Sequence, residues 1–454
     1  MRKTHKSQSS LLEPYLEVEH ARELEAISSV LDELPHLNDL VLQDLGNEGD
    51  AGSEVGCGGM SAEQVLRSAV IKQMNQFSYR ELAFHLSDSR SYRTFCRLGV
   101  MDKTPSKSAL ASNIKALRAE TLEQINAELI GAALDSNIEK GNKVRVDCTV
   151  VESNIHHPTD SELLYDCVRV LTRLMLRARK LMGEDVVFSN RTRRARRRRL
   201  AVRNARNKQQ RRAAYRDLLK VTEETQRNAA RVKRILSEST TLDPVRRASA
   251  ESISADIERF VELTDRVREQ TRRRVMEGQS VAAEDKIVSI FEEHTDIIRK
   301  DNRETLYGHK ICLTGGTSSM ILDCVVLEGN PADVTLSETM IDRQIALYDI
   351  PPRQVAFDGA FASKSNLDAI KNKGVEDVAF AKGRGLQVKD MVRSSWVYQR
   401  LRRFRSGIEG VISFLKRAFG LDRCTWRSFA SFKSYVWSSI IAANLLVMAR
   451  HIMK

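Results

Sequence analysis

Hydrophobic and polar positions change period three times along this chain. From Ser61 apolar residues recur every three to four positions, as in SAEQVLRSAVIKQMNQ and SYRELAFHLSD, the spacing of a helix with one buried face. Ser61 with Gln64 and Ser78 with Glu81 fit the reciprocal capping box, in which each side chain satisfies a free backbone N–H at a helix start. Two successive short helices are predicted. A longer one opens at Thr104-Pro105 and runs through SKSALASNIKALRAETLEQINAELIGAAL. Residues 61–140 thus read as an all-helical N-terminal domain, preceded over 1–60 by helical amphipathic material and a Gly-rich acidic linker, NEGDAGSEVGCGG. Helices joined by short turns are a common shape for reading DNA; an ordinary helical bundle explains this stretch equally well.

The period then falls to two. In KVRVDCTVVESNI, Val144, Val146, Cys148 and Val150 alternate with Arg145, Asp147 and Thr149, which predicts a strand with one buried face. Charged amphipathic helices follow over 160–303, with heptads too loose for an extended rod. Strand signals return in GHKICLTGG and MILDCVVLEG, a predicted hairpin. After them come a helix (ADVTLSETMIDRQIALYDI), a strand (QVAFDGAFA), a helix (SKSNLDAIKNK), a strand (VEDVAFAK) and a terminal helical region. Strand, large insertion, two strands, then alternating helices and strands describe an α/β fold built on a mixed sheet layered with helices.

Charge sharpens this picture at one place. The net charge is +13. The segment 190–216, NRTRRARRRRLAVRNARNKQQRRAAYR, holds twelve Arg, one Lys and no acid, so the whole excess is local. A block this dense reads as a site for a polyanion, with Arg194, Arg197, Arg198 and Arg199 as DNA-binding candidates. A solvated helical face is the plain alternative. The seven cysteines have no C-x-x-C pair, so neither a zinc ribbon nor a disulfide framework is indicated, and a reducing interior is expected. No secretory signal is read at the start, and the apolar run 436–449 is read as a buried helix too short to span a bilayer.

Asp147 lies within a predicted strand, Asp358 at the carboxyl end of another, and Glu409 on a helix beyond the last strand. Sites in open α/β sheets form at the carboxyl ends of strands, where these three carboxylates can converge. Such a cluster repels itself unless a cation neutralises it, and all-oxygen ligation favours hard ions. Two Mg²⁺ or Mn²⁺ ions suit phosphodiester chemistry. Arg405 and Lys416 share a helical face with Glu409. An ordinary i,i+4 ion pair between Arg405 and Glu409 is the plain reading of the first of them. Gly407 and Gly410 flank Glu409 and leave room for close approach. Of the neighbouring residues, His156, His157 and Asp160 are read as a turn that caps the next helix, Glu152 as pointing away from Asp147, and Asp323 as solvent-facing. Trp396 and Trp426 are read as packing beneath the helix, with base stacking as the alternative.

These stretches resemble the DDE-type transposases of bacterial insertion sequences. The resemblance rests on VDCTVVESNIHHPTDS with Asp147, VAFDGAFAS with Asp358, and an R-x3-E-x6-K signature in Arg405, Glu409 and Lys416. The family often has tyrosine three residues before that arginine, where this chain has Arg402. Residues 61–99 also resemble the domain found ahead of such catalytic cores. The resemblance implies a ribonuclease-H-like mixed sheet over 141–159 and 304–454, with flanking helices and a basic helical insertion, 160–303, between the first and second strands. It implies metal-dependent cleavage at transposon ends and transfer of the 3′ hydroxyl into target DNA, with Asp147, Asp358 and Glu409 as catalytic metal ligands and Arg405 and Lys416 on phosphates. It also implies double-stranded DNA as partner, a homodimer or larger assembly, and a cytoplasmic, nucleoid-associated location. A catalytically inactive DNA-binding derivative or regulator is the alternative, and a structural adaptor built on the helical insertion is a third reading.

Overall fold

The computed structural model describes residues 18–46, 59–99, 101–238, 243–299 and 304–454; the Gly-rich linker falls almost wholly outside them. Among these described residues, seven helices precede the first strand: α1 (Glu19–Glu33), α2 (Leu37–Gly46), α3 (Ala62–Met74), α4 (Tyr79–Asp88), α5 (Arg90–Phe95), α6 (Lys107–Lys115) and α7 (Ala119–Asp135). After β1 (Lys143–Glu152) come α8 (Asp160–Met182), α9 (Thr192–Arg203), α10 (Lys208–Glu238) and α11 (Pro244–Thr271). The remainder is β2 (Asp296–Arg299), β3 (Thr305–Gly315), β4 (Ile321–Val326), α12 (Ser337–Tyr348), β5 (Gln354–Phe357), α13 (Lys364–Asn372), β6 (Asp377–Phe380), α14 (Val388–Met391), α15 (Ser395–Phe419) and α16 (Phe429–Ile452).

The capping boxes form as their spacing requires. Gln64 N–H donates to Ser61 Oγ at 3.2 Å and Ser61 N–H to Gln64 Oε1 at 3.1 Å. Glu81 and Ser78 make the same pair at 3.3 and 2.8 Å. The single long helix expected after Thr104 is instead two, α6 and α7. At the break, Arg118 adopts an extended conformation, and both its backbone N–H (2.8 Å) and its Nε (2.5 Å) donate to the buried carboxylate of Asp44 on α2. That tertiary bond takes the backbone donor away from helix continuation, which no local propensity foretells.

The chain divides into two compact units, 1–154 with 308–454, and 155–307. In the first, β1 lies between β3, antiparallel, and β5, parallel; β6 extends the sheet parallel to β5, and β4 pairs antiparallel with β3. Only one face of β1 was expected to be buried, yet Arg145 is 5% and Thr149 9% exposed. The reason is α15, which packs across β1, β5 and β6 on the face that carries Arg145, Asp147 and Thr149. The N-terminal helices share one apolar core with the sheet and α16. Helix α16 is long and apolar enough by length and composition to cross a membrane, yet it is mostly buried in this core. Its polar residues have internal partners: Asn444 bonds the backbone of Ile321 at 2.9 and 2.8 Å and the Asn126 side chain at 2.8 Å.

The second unit is a helical bundle with its own core, drawn from Leu164, Val168, Leu171 and Met175 of α8, Leu218, Val221 and Val232 of α10, and Ile253, Ile257 and Val267 of α11. The spacing of three and four residues on each helix is what aligns those side chains along one stripe. Thr159 caps α8 through Glu162 N–H at 3.2 Å.

Candidate active site

Three elements far apart in sequence deliver three carboxylates to one guanidinium. Asp147 sits midway along β1, Asp358 directly after β5, and Glu409 midway along α15. Arg405, one helical turn before Glu409, lies among them. Its Nη2 is 3.0 Å from Asp147 Oδ2 and 3.3 Å from Asp358 Oδ1, and its Nη1 is 2.7 Å from Glu409 Oε1. The parallel register of β1 and β5, with Val146 opposite Phe357, sets the two aspartates side by side where β5 ends. The three differ in exposure: Asp147 14%, Asp358 40%, Glu409 61%.

One guanidinium among three carboxylates leaves the group short of positive charge, the condition under which oxygen ligands take up a hard cation. By donor chemistry the residues therefore fit a divalent ion. In this arrangement, however, Arg405 stands where such an ion's charge is needed, and no group of three or more His, Cys, Asp or Glu side chains among the described residues is assembled for a metal. The phosphate contact expected of Arg405 is thus replaced here by carboxylate contacts. Lys416 likewise donates to the Val150 carbonyl at 2.9 Å and lies 3.7 Å from Asp422.

Asp147, Glu409 and Lys416 line an open cleft of about 610 Å³, with Thr149, Ser413, Arg417 and Asp422 also on its wall. Ser413 and Arg417 continue the helical face of Glu409 at four-residue steps, so the period that placed Lys416 also points to them. The two glycines of α15 differ in purpose. A Cβ on Gly407 would lie 2.1 Å from Arg145 Nη1; Arg145 is buried, lies over the Phe404 ring and donates to the Phe404 carbonyl at 3.0 Å. Burial pushes its pKa down, with Glu139 opposing. Gly410 has open space beside it, the close approach expected for both.

Several neighbours depart from the sequence reading. Asp323 is not solvent-facing: it is 1% exposed and receives Arg343 through two bonds of 2.7 Å. Trp396 does not pack beneath α15 but is 65% exposed with Arg400 over its ring, whereas Trp426 is buried. His156 lies 3.5 Å from Asp166, and Asp160 accepts from Arg274 at 2.9 Å, so neither joins the carboxylates.

Within the helical unit, α9 buries Ala195 and Val202 and so divides its arginines. Arg194 and Arg198 both grip Asp217, and Arg199 donates to Glu162 at 2.8 Å while lying over Tyr165. Although desolvation acts to raise it, those two guanidiniums hold the Asp217 carboxyl below its usual range. Three of the four arginines read as DNA-binding are therefore tied to acids. Arg197 is exposed, as are Arg196 beside it and Arg193 one turn before it.

Residues 271–445 match the family model of the transposase DDE domain, and residues 13–116 match that of the transposase domain (DUF772). No curated protein and no solved structure matches the chain. Asp358, Arg405, Glu409 and Lys416 fall inside the first range; Asp147 falls in neither.

Proposed function

The chain belongs to the DDE-type transposases of insertion sequences, and from that premise we propose that it cuts DNA at the ends of its element and joins the freed 3′ hydroxyl to target DNA. Asp147, Asp358 and Glu409 are the catalytic carboxylates of this reading. The observation that carries it is their convergence on Arg405. They would hold one or two Mg²⁺ or Mn²⁺ ions, whose chemistry when bound is Lewis-acid stabilisation of charge on the phosphoryl oxygens. The middle of β1 orients Asp147, and α15 orients Glu409. Arg405, once released from the carboxylates, supplies a planar fork suited to a phosphate, and Lys416 a point charge at the cleft mouth. The test is Mg²⁺-dependent nicking of a duplex carrying the element's ends, with a gel shift on the same preparation; binding without nicking favours the inactive derivative.

The cation demand of the cluster has its own readout. Arg405→Met removes the guanidinium from Asp147, at a cost of about 1–3 kcal/mol, so its unfolding midpoint in chelator falls below that of the wild type. Millimolar Mn²⁺ then raises the midpoint of the variant more than that of the wild type. Equal effects of Mn²⁺ on the two proteins in a thermal-shift measurement would count against the carboxylates as ion ligands.

Nonspecific affinity for DNA is assigned to the outward face of α9. Replacing Arg193, Arg196 and Arg197 together by glutamine lowers the slope of log affinity against log salt by up to about three, near 0.9 per phosphate contact. Asp217→Asn, which only frees the ion-paired arginines, does not lower it. An unchanged slope in the triple variant marks α9 as a solvated face.

A further inference from the structure

Beside the carboxylate cleft, and sharing Lys416 and Asp422 with it, lies a second cleft of about 730 Å³ between α3, the start of α4, α6 and the turn after α15. Lys72, Tyr79, Lys115, Tyr435 and Trp426 line it. Lys72 is 5% exposed, and its ammonium has no hydrogen bond or ion pair among the described residues. Its ammonium lies instead 5.1 Å from the ring centre of Tyr79 and 5.5 Å from that of Trp426, while Lys115 lies 5.7 Å from the Tyr79 ring. The Tyr79 hydroxyl and the Trp426 indole N–H are also buried, with no hydrogen-bond partner among the described residues. One ammonium and two neutral donors thus line one cleft with no hydrogen-bond acceptor for them among the described residues.

A buried donor left unmatched is costly, and a buried ammonium more so. Three at one place describe a site made for an oxyanion. Acids do reach the rim, yet they are engaged elsewhere: Glu81 accepts the Ser78 N–H at 2.8 Å, and Asp422 faces Lys416. The site is also firmly built. Gln73 donates to the Phe419 carbonyl at 2.7 Å and to Ser439 at 2.8 Å, and Tyr435 donates to the Gly420 carbonyl at 2.8 Å, so α3 and α16 clamp the end of α15.

We infer that the Lys72, Tyr79 and Trp426 cleft is a phosphate site, and that it takes a backbone phosphate of the DNA strand that passes the carboxylates. The choice of DNA as the source rests on the proposed function; the phosphate site itself does not. Flanking aromatic rings admit the sugar and hold the ammonium through their faces, while Lys115 and Lys416 add charge on either side. The N-terminal helices and α15 thereby grip one strand together, which gives the helical segment before the sheet a direct part in placing DNA.

The experiment uses full-length protein, Lys72→Met and Tyr79→Phe, with two probes: inorganic phosphate in a thermal-shift titration and a 40-bp duplex in a salt-dependent binding titration. Phosphate is expected to raise the midpoint of the wild type but not of Lys72→Met, with Tyr79→Phe between them. Lys72→Met is expected to bind the duplex about tenfold more weakly, with a salt slope lower by about one. Phosphate dependence with unchanged duplex affinity assigns the site to free phosphate and overturns the DNA source. Absence of both effects overturns the site. A wild type that binds no duplex, while phosphate still acts through Lys72, overturns the proposed function and leaves the site standing.

Discussion

Asp358→Asn lowers the rate of DNA strand cleavage by about 10³-fold or more and leaves affinity for the duplex equal or slightly higher. The substitution keeps the shape of the side chain at the end of β5 and removes its charge. Arg405 retains Asp147 and Glu409, so the fold has no reason to give way, and a carboxylate beside the DNA path is one repulsion fewer for phosphates. What is lost, on the proposed function, is an oxygen ligand of full charge. An ion's stabilisation of the transition state is worth several kcal/mol, and each 1.36 kcal/mol is tenfold in rate, so weakening its hold by about 4 kcal/mol gives the stated loss. The same is expected of Asp147→Asn. Single-turnover nicking in Mg²⁺ beside a gel shift measures both quantities. Wild-type nicking by Asp358→Asn would remove this residue from the chemistry, and a parallel collapse of binding would point to misfolding instead.

Lys72→Met stabilises the protein at neutral pH, by about 2 kcal/mol. Burial pushes the Lys72 ammonium down from the usual 10.5 to about 8; Cys424 opposes that shift and Lys115 adds to it. At about 1.4 kcal/mol per pH unit this difference corresponds to ~3 kcal/mol against the charged form in the folded state. Contacts with the two aromatic rings return part of it, about 1 kcal/mol. The sign follows from proton counts. Between about pH 8 and 10.5 the unfolded chain binds a proton at Lys72 that the folded chain has given up, so wild-type stability at this residue rises with pH through that window. Below pH 8 the cost is present in full. The advantage of Lys72→Met is therefore largest at pH 7 and shrinks towards pH 10, which urea unfolding at the two pH values measures. A variant less stable than wild type at pH 7, with a gap that does not change with pH, would contradict the strain assigned to this ammonium. A residue that lowers stability and is nonetheless buried in a cleft is consistent with use by a ligand.

Much of the architecture is legible in the chain because its signals are local. The capping boxes at Ser61 and Ser78 are complete within four residues, and the period-two run of β1 and the short strands β5 and β6 declare themselves within ten. Where local reading fails, a distant group has intervened. Asp44 breaks the helix at Arg118, α15 covers the face of β1 that alternation alone leaves open, and Arg343 draws Asp323 inward. The candidate site shows the same division. Arg405, Glu409 and Lys416 lie on one helical face by spacing alone, whereas the placement of Asp147 and Asp358 around Arg405 depends on the parallel register of β1 and β5 and on the way α15 crosses them.

The sequence by itself determined the kinds of element, their order, the local concentration of arginine and the one helical face that carries Arg405, Glu409 and Lys416, since helix and strand periods and side-chain chemistry are properties of short segments. Only the tertiary structure decided which charges meet. It set Arg405 among the three carboxylates, tied Arg194, Arg198 and Arg199 to acids while leaving Arg197 in solvent, and closed Lys72 into an aromatic cleft with Tyr79 and Trp426. Interactions between charges fall off with distance and depend on the water excluded around them, and both quantities exist only once residues hundreds of positions apart have been packed together.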